Sequence, residues 1–198
     1  MTTEHALGSS TSKSALRRAL RAERDALTAD VRAGLCAQAA EHLETLCEWQ
    51  DAKVIASFMP YQSEFDPMML LSHAAATTVT MVYPRVVDST LHFHEWRSGQ
   101  AFITNKMGVR EPVAEAREFT LDQIDLFITP LLACSDTGHR LGYGGGFYDR
   151  VFARSSGFRL GVGFHFQRVN GWVTEMHDLQ IDAFLCETGL ERFQPTDR

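Results

Sequence analysis

The chain has 198 residues, 44% of them hydrophobic and 22% charged, which is enough to bury a sizeable core in one domain or a tight two-layer elaboration of one. Nineteen Lys and Arg against 25 Asp and Glu leave a formal net charge of −6, which excludes a general nucleic-acid or anionic-membrane binder but allows a local basic pocket. No apolar run reaches the ~20 residues that span a bilayer, and Cys36, Cys47, Cys134 and Cys186 form no C-x-x-C pair, so reduced thiols and a cytoplasmic protein without a signal peptide are expected.

Met1 to Ser12 is polar and rich in small residues, and reads as a loose arm. From Lys13 to Leu27, Leu16, Leu20 and Leu27 place apolar groups on one side of a helix, and Arg17, Arg18, Arg21 and Arg24 fill much of the rest. Lys13 and Arg17 are i and i+4 and share a face; together they can bind one polyanion, or form a solvated basic face paired with Glu23 and Asp25. Thr28-Ala29-Asp30 marks a break with a capping residue. Val31, Leu35, Ala39, Leu43 and Leu46 then predict a helix from Val31 to Leu46.

Lys53 to Phe58 reads as the first strand, with Glu64 in the loop beyond its C-terminal end, the edge where open α/β sheets bind ligands. Taken alone, Glu64 is equally a solvated charge or a cap for the helix predicted from Pro67 to Ala76. Thr78 to Tyr83 is a second strand, ending before Pro84-Arg85. Leu91 to Trp96 alternates and predicts a half-exposed strand in a hairpin with Ala101-Phe102-Ile103. His92 and His94 share one side of it and read as exposed strand histidines, since no third metal ligand is suggested nearby. Gly108 to Pro112 forms a pocket-lining bend, and Ala114 to Gln123 a polar connection.

Leu126 to Pro130 reads as a buried strand, and Phe147 to Arg154 can open a helix. Between them lies Gly142-Tyr143-Gly144-Gly145-Gly146. A glycine loop between strand and helix can turn several backbone N–H groups towards one point, and the helix start adds partial positive charge. Arg140 and Arg150 offer cations for phosphate oxygens, and Asp149 a hard carboxylate suited to Mg²⁺. The alternative is a turn that merely reverses the chain. A Walker A loop is excluded because Phe147 follows Gly146, and the dinucleotide fingerprint fails in both frames, its third glycine falling on Phe147 or Asp149. Arg159 to Phe164 is a further strand, Gln167 to Gln180 largely loop, and Ile181 to Cys186 a final core strand before a polar tail. Alternating helices and short apolar strands predict a layered α/β/α sandwich around a central mixed, mostly parallel sheet. The expected division is an arm at 1–12, a single catalytic α/β domain at 13–190 and a tail at 191–198.

Arg140 to Arg150 resembles the signature of the 5-formyltetrahydrofolate cyclo-ligase family, also called 5,10-methenyltetrahydrofolate synthetases, with Phe147 where the usual bacterial form has tyrosine. The likeness extends over roughly residues 12 to 188. It includes Lys13 and Arg17, Phe58-Met59-Pro60 leading to Glu64, Tyr83-Pro84-Arg85-Val86, Gly108-Val109-Arg110-Glu111-Pro112, Asp125 to Pro130, and Asp182.

The resemblance implies an enzyme that converts ATP and 5-formyltetrahydrofolate to ADP, phosphate and 5,10-methenyltetrahydrofolate with Mg²⁺. It implies that Lys13 and Arg17 contact the ATP phosphates, together with the stretch Arg140, Leu141, Gly142, Tyr143, Gly144, Gly145, Gly146, Phe147 and Tyr148. Met59 and Glu64 would contact the folate, alongside Tyr143, Gly144, Gly145, Gly146 and Phe147. Arg140 and Tyr148 would be catalytic, and Asp149 and Asp182 would bind the metal. The implied partners are these two substrates, with no nucleic acid or membrane, acting on a monomer. A sugar-phosphate isomerase or CoA-transferase of similar architecture, or a non-catalytic nucleotide-binding protein, is the competing reading.

Overall fold

The structure, a computed structural model, describes residues 12–74, 79–175 and 178–194, without the side chains of 72–74. The expected arm up to residue 11, the helix end at Ala76, the strand start at Thr78 and the tail from 195 lie outside the described residues.

Helix α1 (Lys13–Ala26) begins where the Ser12 hydroxyl accepts the Ala15 N–H, satisfying one orphan donor of the first turn. Thr28 caps α2 (Ala29–Leu43) in the same way through Val31 N–H, so this helix starts two residues before Val31. It stops at Leu43, and a separate short helix α3 (Cys47–Asp51) carries Trp49 into the core. Strand β1 (Val54–Ala56) and helix α4 (Met68–Ala74) follow.

Strand β2 (Thr80–Val87) does not end at Tyr83 as expected. It continues through Pro84 and turns directly into β3 (Thr90–Trp96), with Val87 opposite Thr90. Asp88 and Ser89 make that turn at φ 45° and 65°, the left-handed pair a two-residue hairpin needs. Pro84 is tolerated because β1 pairs with β2 only as far as Val82, leaving a neighbour on one side beyond it. The expected hairpin of β3 with Ala101-Phe102-Ile103 is therefore not formed. Instead β4 (Ile103–Thr104) pairs with β5 (Arg110–Glu111), and β6 (Glu118–Phe119) takes the outer side of β3. His94 is 7% exposed, with Nδ1 2.8 Å from the Ala116 carbonyl, so it is buried rather than exposed; His92 pairs with Glu118 at 2.7 Å.

The chain continues through β7 (Leu126–Pro130), the pair β8 (Ala133–Cys134) and β9 (Arg140–Leu141), and α5 (Phe147–Phe152). Strands β10 (Phe158–Val162), β11 (Ala183–Cys186) and β12 (Gly189–Arg192) complete it. Strand β12 occupies part of the segment read as polar tail, because its backbone closes the sheet edge against β11 while Glu191 and Arg192 stay exposed. The eight-stranded sheet has the order β12-β11-β10-β7-β1-β2-β3-β6. Its β11-β10-β7-β1-β2 centre is parallel and its margins are antiparallel.

Alternation along the strands feeds two cores. Ile55, Leu126, Ile128, Leu160 and Leu185 pack under α2, α3 and α4 through Ala39, Leu43, Trp49 and Leu70. Ala56, Phe127 and Phe184 face the other way, towards Tyr148, Val151 and Phe152 of α5. This is the α/β/α sandwich expected, and it fixes α5 and the loop before it against the sheet. Cys36, Cys134 and Cys186 are buried free thiols, with burial pushing Cys36 up to about 11 and Cys134 up to about 12.

Gly157 turns the chain into β10 so tightly that a Cβ there would lie 2.4 Å from the Ile124 carbonyl oxygen and 2.8 Å from the Phe127 ring. Backbone cannot yield as a side-chain end does. Gly157→Ala should therefore lower unfolding stability by about 1–3 kcal/mol, read as a lower midpoint in urea; an unchanged midpoint would contradict this packing.

Candidate active site

The loops following β1 and β7 leave the C-terminal edge of the parallel strands and border a cavity of about 1070 Å³, which also reaches Pro84 and Val86 of β2. Ordinary small-molecule sites run to ~300–1,000 Å³, so this one has room for two substrates of moderate size. Met59, Pro84, Val86, Leu91, Met107 and Val109 give it apolar lining, and Lys13, Arg17 and Arg140 give it cations.

The glycine turn is shaped by backbone angle at two positions and by space at two others. Gly144 and Gly146 have φ of 99° and 64°, the left-handed region where a Cβ is disfavoured. A Cβ on Gly142 would lie 2.6 Å from Arg140 Nη1, and one on Gly145 would lie 2.8 Å from the Phe147 ring. Arg17 donates Nε–H to the Gly142 carbonyl at 2.8 Å, and its guanidinium carbon would lie 3.5 Å from a Cβ on Gly144.

The short β8–β9 pairing turns Arg140 back towards the end of β7, where its Nη1 donates to the Pro130 carbonyl at 3.3 Å. Its Nη2 pairs with Asp149 Oδ1 at 3.3 Å, and its guanidinium sits 5.3 Å from the Tyr148 ring centre. Arg140 is 7% exposed, and its Nε has no partner among the described residues. An unmet buried donor costs about 1–3 kcal/mol. This cation therefore has unfilled hydrogen-bonding capacity beside a cavity.

Lys13 is already engaged, with Nζ 2.6 Å from Asp178 and 2.9 Å from Glu175. Burial lowers its pKa, but these two carboxylates outweigh it and hold the ammonium above its ordinary value. A phosphate contact from Lys13 needs an exchange of partners. Glu64 is 8% exposed and accepts the Tyr61 N–H at 2.8 Å. Burial pushes its carboxyl above the ordinary carboxylate range, against hydrogen bonds from Tyr143 and Tyr61 and the charges of Arg24 and Arg21. Burial likewise pushes the phenols of Tyr143 and Tyr148 up, so Tyr148 stands as a neutral hydroxyl rather than a base.

Lys13, Arg17, Met59, Glu64, the whole stretch Arg140 to Tyr148, and Asp149 all line this one cavity. Asp182 does not. Its Oδ2 accepts the Arg159 N–H at 2.8 Å, at the N-terminal ends of β10 and β11, the opposite edge of the parallel strands. The structure thus does not bring the two carboxylates expected to share a metal to the same cavity. Among the described residues no three His, Cys, Asp or Glu side chains gather as a metal site, and no helix is long and apolar enough to cross a membrane.

Two features of the site were missed in the sequence. Arg24 is buried against Ser63 and Tyr143; the signal was its place four residues after Leu20, where it continues the Leu16–Leu20 stripe. Glu111, 5% exposed, accepts from Asn105 Nδ2 at 3.1 Å and pairs with Arg85 at 3.4 Å, holding the β4–β5 side of the cavity. The sequence placed it in a pocket-lining bend but assigned it no role, because its partner Arg85 is brought to it by the continuation of β2 beyond Tyr83.

A sequence model of the 5-formyltetrahydrofolate cyclo-ligase family matches residues 9–187. The chain is 28% identical over 171 residues to the 5-formyltetrahydrofolate cyclo-ligase of Escherichia coli strain K12, covering 83% of this chain and 94% of that protein. It is 28% identical over 148 residues to the Haemophilus influenzae protein of the same name, covering 71% and 79%. The solved structure of Aquifex aeolicus 5,10-methenyltetrahydrofolate synthetase superposes with a TM-score of 0.81 at 25% identity, covering 94% of this chain and 95% of that one. The Mycoplasma pneumoniae synthetase, at 23% identity and a TM-score of 0.73 over 88% of this chain and 98% of that one, shares the fold.

A carboxyl whose folded pKa is raised contributes stability that is complete below its unfolded pKa and is lost as pH rises through the folded pKa. Wild-type protein should therefore lose thermal stability relative to Glu64→Gln as pH climbs from below the ordinary carboxylate range through the raised pKa of Glu64. Melting curves of the two proteins that run parallel at every pH would contradict the burial argument.

Proposed function

Because the chain belongs to the 5-formyltetrahydrofolate cyclo-ligase family, we propose that its cavity binds ATP beside 5-formyltetrahydrofolate and closes the ring of 5,10-methenyltetrahydrofolate, releasing ADP and phosphate. The observation that carries this reading is the convergence of Lys13, Arg17 and Arg140 with the open glycine turn on one cavity. The unfilled Nε of Arg140 supports it, since a phosphate oxygen is a fitting partner for a buried guanidinium donor.

The chemistry accounts for these residue types. A formamide oxygen is a poor leaving group, so the terminal phosphoryl group is transferred to it: an O–P bond forms as the bond to ADP breaks. The N10 lone pair then attacks the formyl carbon, N10 loses its proton, and the C–O bond breaks with departure of phosphate. Transfer of this kind asks the protein for alignment and charge stabilisation. The N–H groups of Gly144 to Gly146 cradle phosphate oxygens, and Arg140 offsets their charge. Lys13 joins once it leaves Glu175 and Asp178. Tyr148, held neutral, can donate a hydrogen bond. Met59 and Glu64 face the folate, and Glu64 suits its donor groups.

The donor set fits Mg²⁺ through one hard carboxylate, Asp149, partly exposed in the cavity wall. Such ions take one or two protein carboxylates, with phosphate oxygens and water completing the shell. When bound, the ion would offset charge on the triphosphate. We assign this contact to Asp149, while Asp182 tethers the start of β10. Residues 13–190 act as one catalytic domain, supported by the single large sheet that runs through them. Free buried thiols and the use of ATP favour a cytoplasmic site of action.

A spectrophotometric assay should show methenyltetrahydrofolate appearing from 5-formyltetrahydrofolate only with ATP and Mg²⁺; no product under those conditions contradicts the assignment. Arg140→Ala should lower kcat by about 10²–10³-fold, with circular dichroism reporting a retained fold; wild-type kinetics would remove Arg140 from the phosphate site. Asp149→Asn should shift the Mg²⁺ titration of activity to higher concentration, and an unchanged titration would place the ion elsewhere.

A further inference from the structure

Arg24 is 1% exposed and lies in the apolar stripe of α1 after Leu16 and Leu20. A buried guanidinium is tolerated only with its donors met. Here Nε donates to Ser63 Oγ at 3.1 Å, and Nη2 donates to the Tyr143 hydroxyl at 2.7 Å. The Ser63 hydroxyl in turn donates to Asp25, and the Tyr143 hydroxyl bonds the Glu64 carboxylate. Arg24 is thus balanced by two carboxylates, each through one intervening hydroxyl.

Stability alone does not account for an arginine in this place. An apolar residue would continue the stripe, and replacing buried ionic groups by apolar ones of like volume is often neutral or stabilising. What an apolar residue cannot do is hold Tyr143. Tyr143 carries the one side chain larger than hydrogen between Gly142 and Gly146, and the residue is 39% exposed in the cavity wall. It is the available handle on a turn otherwise made of glycine. Arg17 and Arg24, two helical turns apart, hold adjacent residues of that turn: Arg17 the Gly142 carbonyl and Arg24 the Tyr143 hydroxyl. Between them Arg21 lies 5.1 Å over the Tyr143 ring centre.

We propose that Arg24 is a positioning residue that pre-orders the glycine turn for the triphosphate by clamping Tyr143 against Glu64. A free glycine turn has the most backbone freedom to lose when a ligand orders it. With the turn already clamped, that cost falls outside the binding step. The inference rests on the nucleotide-binding reading above, and calorimetric affinity for ATP tests it separately from turnover.

Arg24→Met and Tyr143→Phe should each weaken ATP binding about tenfold and raise KM for ATP by more than they lower kcat. The double variant should bind no worse than either single one, because both remove the same link. Effects that multiply in the double variant, or wild-type ATP affinity in both single variants, would overturn the proposal. If Arg24→Met does not fold, Arg24→Lys paired with Tyr143→Phe serves the same cycle. A lysine lacks the fork that reaches Ser63 and Tyr143 together, so wild-type affinity in Arg24→Lys is equally adverse. A wild-type protein that binds ATP but forms no methenyl product would sink the functional reading and leave the clamp testable by affinity.

Discussion

A turn containing four glycines has almost no side chains with which to hold itself, and the site depends on how its neighbours supply the missing constraint. Helix α1 does most of this, bonding the Gly142 carbonyl through Arg17 and the Tyr143 hydroxyl through Arg24. Arg150 grips the other half, donating to the Gly145 carbonyl at 3.0 Å and to the Ser89 carbonyl at 2.7 Å. The same arginine lies 5.1 Å over the Phe147 ring centre. The β2–β3 hairpin turn, the glycine turn and α5 are thereby tied by one side chain. The absence of a hydroxyl on Phe147 leaves this contact intact, because it uses the ring face.

Part of the charge at the cavity is matched internally. Lys13 faces Asp178 and Glu175, Arg140 faces Asp149, and Arg24 reaches Glu64 through Tyr143. A net charge of −6 and a cation-lined pocket are therefore compatible. On the proposed function, a polyanion would displace the carboxylates at Lys13 and Arg140 and would meet Arg17 directly, since among the described residues Arg17 bonds the Gly142 carbonyl and no carboxylate. Such exchange favours a ligand able to offer several oxygens at fixed spacing, as a triphosphate does. The apolar lining from Met59, Pro84 and Met107 offers a planar, largely uncharged substrate a different kind of surface in the same cavity.

Much of this was legible in the chain. The apolar run from Leu126 to Pro130 and β-branched residues around Ile55 marked the central strands, because burial on both faces leaves little choice of residue. Capping at Thr28 was visible as well, since a hydroxyl before an apolar stripe has few other uses. The hairpin around Asp88-Ser89 was not legible: these residues adopt left-handed angles without the Asn-Gly or Asp-Gly pair that usually announces them, and Pro84 suggested a strand end. That single turn moved the partner of β3 and the setting of Glu111. In the site, short-range features such as the glycine turn, Arg140 and Asp149 could be read directly. The surroundings of Asp182 could not, because they are set by sheet order; the spacing after Leu16 and Leu20 signalled the burial of Arg24 but not its partners Ser63 and Tyr143, which depend on the docking of α1.

The most direct test is a crystal structure with a non-hydrolysable ATP analogue. The triphosphate should lie on the backbone amides of Gly144 to Gly146, with its terminal phosphate bonded to Arg140 and Tyr143 still held by Arg24. Phosphates seated away from that turn, with Arg140 Nε still unpartnered, would contradict the central claim that this turn and these cations form the nucleotide site.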